Sequence, residues 1–245
     1  MVIRLPNAFP LGKDAEPVGS ATLSGRESTM RTILFLLGFF VVMTGTFFGS
    51  AGRWDLPLAW VCLGVYAACM VLAQLLMDPE LRRERMKPAP GGIDRQIRWV
   101  MLPFMLGYWV LAGLDIRWHG AEIIPPEWQL LGLAGSSASL GLALWALTQN
   151  RFFSPVVRIQ TERGHHLITS GPYRLIRHPG YLGGAGSALC GAIGLGSWWA
   201  LLPAAGVVGV LVRRTILEDR YLLRELAGYQ AYARKVRYRL VPGIW

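Results

Sequence analysis

The side chains best suited to chemistry are bunched in the eighteen residues from Gly164 to Tyr181, where His165, His166, Tyr173, Arg174, Arg177, His178 and Tyr181 occur together. Pro172 and Pro179 fix their own φ angles and push Gly171 and His178 towards extended geometry. Gly164, Gly171 and Gly180 supply tight bends. Imidazoles, guanidiniums and phenols held on so rigid a stretch suit stacking on, and hydrogen bonding to, a polar ligand. Metal binding is a poorer match. His165 and His166 are adjacent rather than one helical turn apart, and carboxylate or thiolate partners at ligand spacing are missing, so no metal is expected. Irregular backbone of this kind cannot face lipid, because its polar groups would go unpaired. It must lie at a membrane surface or line a protein-walled cavity.

A second constellation lies further on. Arg214 and Glu218 are four residues apart and share one helix face, directly after a long apolar run. An exposed pair of this kind is worth only a few tenths of a kcal/mol, but ionisable groups that emerge from apolar helix are functional candidates. The tail from Gly228 to Trp245 is basic and aromatic, which suits anchoring at an interface or covering a ligand. Before the central stretch, Asn150–Pro155 leaves an apolar run and Val156–Gln160 reads as an extended piece.

The elements that must position these residues are membrane helices. Of 245 residues, 53% are hydrophobic and 16% charged, with mean hydropathy +0.36, which is unusual for a soluble domain. Thr32–Ala51 and Leu56–Met77 carry no charge and reach the roughly 20 residues that a span requires. Val100–Leu114 and Trp128–Asn150 are further candidates. Gly180–Val212 is uncharged throughout, with a turn signal at Gly194-Leu195-Gly196-Ser197, and reads as a hairpin of two short helices. The expected fold is all-α and polytopic, with about six transmembrane helices and a C-terminal cytoplasmic cofactor-binding region. It divides into a polar N-terminal segment (1–28), a four-helix transmembrane region (29–149) and a core (150–245) made of the polar loop, the hairpin, a C-terminal helix and the tail.

The net charge of +10 supports this arrangement rather than nucleic-acid binding. With six spans and a cytoplasmic N-terminus, 23 of the 25 Lys and Arg fall on inner segments and only Arg53 and Arg117 on outer loops, the positive-inside pattern. Both termini and the polar stretch are therefore expected on the cytoplasmic side, against anionic headgroups. Asp78–Lys87 is charged, but its i,i+4 partners do not support a helix, and Pro88-Ala89-Pro90-Gly91-Gly92 breaks one. Trp99, Trp109, Trp118 and Trp128 are expected at span ends as interfacial aromatics. Gly180/Gly184, Gly183/Ser187 and Ser187/Gly191 are small-xxx-small pairs that allow close helix approach. Cys62, Cys69 and Cys190 have neither metal spacing nor a disulfide framework.

Gly171-Pro172-Tyr173, Arg177-His178-Pro179-Gly180-Tyr181, the apolar hairpin, the acidic pair Glu218-Asp219 and then Tyr229 and Tyr232 together resemble the isoprenylcysteine carboxyl methyltransferase family, related to phospholipid N-methyltransferases. The resemblance runs from about Asn150 to Trp245. It implies an S-adenosylmethionine-dependent enzyme acting on a lipophilic acceptor that enters from the bilayer, most naturally a carboxylate of isoprenylcysteine type. It also implies cofactor contacts at Gln160, His165, His166, Leu167, Ile168, Tyr173, His178, Pro179, Gly180, Tyr181 and Glu218, and a catalytic role toward the acceptor for Arg214. The family often has two glutamates where this chain has Glu218-Asp219. Three alternatives stand beside it. One is an NADPH-dependent reductase of sterol-reductase type, with Arg237-Tyr238-Arg239 on the phosphate. The others are a phospholipid N-methyltransferase and a non-catalytic membrane scaffold.

Overall fold

The computed structural model describes residues 18–86 and 92–245, with side chains from Met30 onward apart from Arg31. All but Gly92 of the break expected at Pro88–Gly92, and most of the polar N-terminal segment, lie outside the described residues. The described chain is all-helical: α1 (Val18–Ala51), α2 (Pro57–Leu76), α3 (Pro79–Met86), α4 (Ile97–His119), α5 (Pro126–Gln149), α6 (Pro179–Gly194), α7 (Leu201–Glu225) and α8 (Tyr229–Lys235), with single 3₁₀ turns at Thr161–Arg163 and Gly171–Arg174. It forms two compact units, one ending at Phe39 and one beginning at Phe40; the packing and the site described below belong to the second.

Among the described residues, four helices are long and apolar enough to cross a membrane: Thr32–Ala51 within α1, then α2, α4 and α5. The hairpin differs from expectation in its second arm. Helix α6 is short, at 16 residues, but α7 runs for 25, straight through the charged Arg213–Tyr221 segment. The turn between them contains Gly196 at φ +80°, a conformation suited to glycine.

Missing side chains hold α5 and α6 together. A Cβ on Gly183 would stand 2.5 Å from the Ser139 carbonyl oxygen, and one on Gly132 would stand 2.5 Å from the Gly194 nitrogen. Without a hydrophobic driving force between helices in lipid, such backbone contact supplies the packing energy. A polar node joins α2 and α4 to α6. The Tyr66 hydroxyl on α2 donates to the Ser187 carbonyl at 2.9 Å, and a Cβ on Gly191 would lie 2.5 Å from that hydroxyl and 2.7 Å from the hydroxyl of Tyr108.

At the hairpin-turn end, Asp115 of α4 is fully buried. It accepts hydrogen bonds from the Ser197 hydroxyl at 2.7 Å and the Trp199 backbone N–H at 3.0 Å, and stands 2.8 Å from His119 Nδ1. Trp99, Trp118 and Trp128 are exposed near helix ends as expected. Trp109 is not. It is buried in the middle of α4 against Phe47, Tyr66 and Tyr108, because burying its ring contributes more than an interfacial position.

The charged segment after α2 is helical, contrary to the pairing argument. Asp78 caps α3 through the N–H groups of Glu80 and Leu81 at 2.9 and 3.2 Å, Pro79 occupies the first turn, and Leu81 is fully buried against Met77 and Leu147. Tertiary contacts replace the absent i,i+4 pairs: Glu80 pairs with Arg151 and Glu84 with Arg158.

Candidate functional site

Residues 150–168 form an irregular loop at the end of the bundle away from the hairpin turn, with no strand at Val156–Gln160. Side chains supply the bonds that a strand ladder would have supplied. Asn150 Oδ1 accepts from the Phe152 N–H at 2.9 Å, and Asp94 Oδ1 accepts from the Val157 N–H at 2.7 Å. Arg158 is gripped by both oxygens of Glu84, at 3.0 and 2.8 Å, and by Glu162 at 2.7 Å. This bidentate, charge-assisted pairing fastens the loop to α3.

Gln160 has no solvent exposure. Its Nε2 donates to the Phe152 carbonyl at 2.8 Å, and its backbone N–H donates to His165 Nδ1 at 3.2 Å. These two bonds stack the His165 imidazole on the Phe152 ring, with centroids 4.5 Å apart and planes 27° from parallel. Burial, followed by the charges of His166, Arg158 and Arg163, lowers the His165 pKa to about 4. The ring is therefore neutral near pH 7, as acceptance at Nδ1 requires.

The second wall begins at Gly171, whose φ of +55° starts the 3₁₀ turn; a Cβ there would meet Gln149 at 2.7 Å and Trp145 at 3.0 Å. Tyr173 is buried, its carbonyl accepting from the Tyr232 hydroxyl at 2.7 Å. The Arg177 and His178 N–H groups donate to the carbonyls of Tyr238 and Arg239 at 3.0 and 2.9 Å, so the tail closes over this loop. Asp219, fully buried, ties the pieces together. It lies 3.2 Å from Arg177 Nε, 2.9 Å from Arg239 Nε and 3.4 Å from His178 Nε2, and it accepts from the Tyr229 hydroxyl at 2.9 Å. The Tyr181 ring stacks parallel on His178, with centroids 5.7 Å apart, and its hydroxyl donates to Glu218.

Together these elements enclose a cavity with about 730 Å³ of empty space, part of it open to solvent. His165, His166, Leu167, Ile168, Tyr173, His178, Tyr181 and Glu218 line it, so eight of the twelve expected site residues are brought to one place. The other four lie behind its walls. Gln160 orients Phe152 and His165. Pro179 opens α6, and Gly180 leaves room for the Phe153 ring, which a Cβ would meet at 2.5 Å. Arg214 stands over the Tyr181 ring, 5.5 Å from its centroid; it pairs with Asp94 at 3.2 Å rather than with Glu218, and donates to the Pro155 carbonyl at 2.7 Å.

Sequence reasoning missed Phe152, Phe153 and Asn150, which also line the cavity; the signal was their position at the exit of a span. Arg177, Tyr229 and Tyr232 line it too, and all three stood in the recognised motifs. Arg237 and Tyr238 are exposed on the tail, and Arg239 is engaged by Asp219 and stacked on Trp245. Among the described residues, no group of three or more His, Cys, Asp or Glu is placed to hold a metal ion.

Comparison with known proteins gives the cavity its context. A family profile described as phospholipid methyltransferase matches residues 128–227. The chain is 30% identical over 162 residues to the cobalt-zinc-cadmium resistance protein CzcN of Cupriavidus metallidurans, covering 60% of this chain and 68% of that protein. It is 36% identical over 95 residues to a probable protein-S-isoprenylcysteine O-methyltransferase of Oryza sativa subsp. japonica, covering 38% of this chain and 50% of the relative. Protein-S-isoprenylcysteine O-methyltransferase A of Arabidopsis thaliana is 32% identical over 98 residues, covering 37% and 47%. The chain thus spans about half the length of the plant relatives it matches. No solved structure matches it significantly. The matched region runs from α5 through α7 and so includes most of the cavity's walls, and on these grounds the chain belongs to the family of membrane methyltransferases that comprises the phospholipid and isoprenylcysteine enzymes.

Proposed function

We propose that this protein transfers a methyl group from S-adenosylmethionine to a lipophilic carboxylic acid of isoprenylcysteine type. The observation that carries the reading is the make-up of the cavity. One carboxylate, Glu218, faces a space walled on one side by the Phe152–His165 stack and on others by Tyr173, Tyr181, Tyr229, Tyr232 and leucines, with Arg158 and Arg177 also reaching its lining. A flat purine suits the aromatic and imidazole wall, and the cationic or hydroxyl groups of the nucleoside suit Glu218.

When bound, the cofactor supplies an electrophilic methyl group on a sulfonium. The protein needs neither a nucleophile nor a metal for its displacement, only orientation and a dry site. His165, neutral and held by the Gln160 N–H, stacks without bringing a second positive charge near a sulfonium. Tyr181 holds Glu218 in place through its hydroxyl. Arg214 acts on the acceptor side of Tyr181, as a cation for the acid group. The positive-inside distribution supports a cytoplasmic cavity and termini, with α6 and the apolar Leu201–Val212 part of α7 completing six spans. A lipid acceptor then arrives from the bilayer and a soluble cofactor from the cytoplasm.

The family profile's own description favours a second reading, an amine acceptor on a phospholipid. The guanidinium of Arg214 over Tyr181 speaks against it, since a cation there repels a protonated amine. Calorimetric titration of the purified protein with S-adenosylmethionine, S-adenosylhomocysteine and NADPH tests the cofactor. Micromolar binding of the first two alone is expected, and binding of NADPH alone overturns the reading. Turnover on a prenylcysteine acid but not on phosphatidylethanolamine is expected for the acceptor.

A further inference from the structure

Arg85, on α3, is a cation that the proposed reaction leaves unused. Its Nη1 donates to the Phe153 carbonyl at 3.0 Å, and its guanidinium lies 5.6 Å from the Phe153 ring centroid. Phe153 in turn stands 6.3 Å from the Tyr181 ring, and Arg214 lies 5.5 Å from the centroid of that ring. Two guanidiniums therefore back two neighbouring rings. Phe153 and Tyr181 line the cavity, whereas Arg85 and Arg214 do not. Burial, and after it the charge of Arg214, holds the Arg85 pKa below the ordinary arginine value, as expected for a guanidinium withdrawn from water beside another cation.

The nearby acids are engaged elsewhere. Asp94 pairs with Arg214 and holds the Val157 N–H. Glu84 is taken by Arg158 and Ser154. Glu218 accepts from the Tyr181 hydroxyl on the cavity side and keeps its negative charge, which acts on Arg214 one turn earlier in α7 rather than on Arg85. Among the described residues no carboxylate forms an ion pair with Arg85. Arg214 has Asp94 and Glu218 as counter-charges, whereas Arg85 has no ion-pair partner among the described residues, and a guanidinium withdrawn from water without a counter-ion is costly. A monoanion settling there relieves it.

We infer that Arg85 and Arg214 together form an anion subsite behind the Phe153–Tyr181 ring pair, and that it holds the acid group of the lipophilic acceptor. This rests on the carboxylate-methylating reading above and adds Arg85 as a positioning and specificity residue. The arrangement also accounts for product release. As a carboxylate oxygen forms the new C–O bond and the C–S bond breaks, the acceptor's negative charge disappears. The ester that results no longer suits two guanidiniums.

The test uses the full-length protein in phosphatidylcholine nanodiscs, with S-adenosylhomocysteine present, and compares binding of a farnesylcysteine acid with that of its uncharged methyl ester. The wild type is expected to prefer the acid by about tenfold or more, the scale of one charge-assisted pair. Arg85→Gln is expected to abolish that preference while leaving ester and S-adenosylhomocysteine affinities unchanged, and Arg85→Lys to restore part of it. If Arg85→Gln keeps the preference, the inference is overturned. It is also overturned if all affinities fall together, because Arg85 then only props Phe153. Wild-type protein that binds S-adenosylhomocysteine but does not prefer the acid overturns the subsite and leaves the cofactor reading standing. An Arg85-dependent acid preference without S-adenosylhomocysteine binding does the reverse. A preference that appears only in discs containing phosphatidylglycerol marks Arg85 as a headgroup contact and overturns the subsite.

Discussion

Two aspartates are sealed from solvent at opposite ends of the bundle, and their surroundings could hardly differ more. Asp115 meets a hydroxyl, a backbone N–H and the half-exposed His119, and it closes the α6–α7 turn. Asp219 meets two guanidiniums, an imidazole and a phenol drawn from the central loop, α8 and the tail, and two of these partners' neighbours, Tyr181 and Glu218, face a cavity. The same side chain serves as a staple at one end and as a charge hub at the other. A hydroxyl and a backbone N–H suffice to fix a turn. Clustered cations need their counter-ion, so the hub end stores its order in electrostatics and is open to perturbation by one residue.

The sharpest way to break this contrast is Asp219→Ala. It leaves Arg177, Arg239 and His178 without their shared anion, and removing one partner of a buried pair costs about 3–5 kcal/mol. A large fall in the denaturation midpoint together with loss of S-adenosylhomocysteine binding is expected. Next in size is Glu218→Gln, which is expected to weaken S-adenosylhomocysteine about tenfold or more in calorimetry with little change in melting temperature, since its partner Tyr181 keeps an acceptor. Asp115→Ala leaves the Ser197 hydroxyl and Trp199 N–H unpaired, at about 1–3 kcal/mol; stability should fall while cofactor affinity of the folded protein stays at the wild-type value. A drop in affinity there shows that the two ends are coupled.

The smallest expected effect concerns pH. His165 is held at a pKa of about 4, below the value of about 6.5 for a free imidazole. A lowered pKa means that the folded site favours neutral His165. Its contribution is present above pH 6.5 and is lost progressively as pH falls towards 4. The melting temperature of the wild type should therefore fall as pH drops from about 6.5 towards 4, with S-adenosylhomocysteine affinity of the folded protein steady down to about pH 5, and His165→Phe should flatten that part of the stability profile.

What the sequence made legible was local. The glycines of α6 announce close packing, and the Gly164–Tyr181 run announces a ligand wall, because spacing and composition carry those signals. The partners of Asp219 and Arg214 were hidden. Asp94 is 120 residues from Arg214, and no periodicity connects them. Helix α3 was hidden for the same reason: Leu81 and Glu84 find their partners on α5 and the 150–164 loop, not one turn along their own helix. Trp109 shows the limit from the other side, since an aromatic in a span reads as an interfacial anchor until its neighbours are known.

The α5–α6 seam has a bearing on traffic through the bilayer. Two backbones close enough that a single added Cβ would stand 2.5 Å from a main-chain atom leave no gap for an acyl or prenyl chain, which is several ångströms thick. A greasy molecule diffusing sideways in the membrane meets a closed wall along that flank. Lateral entry is thereby confined to other faces of the bundle, and widening the seam by Gly183→Leu should disturb the fold before it opens a door.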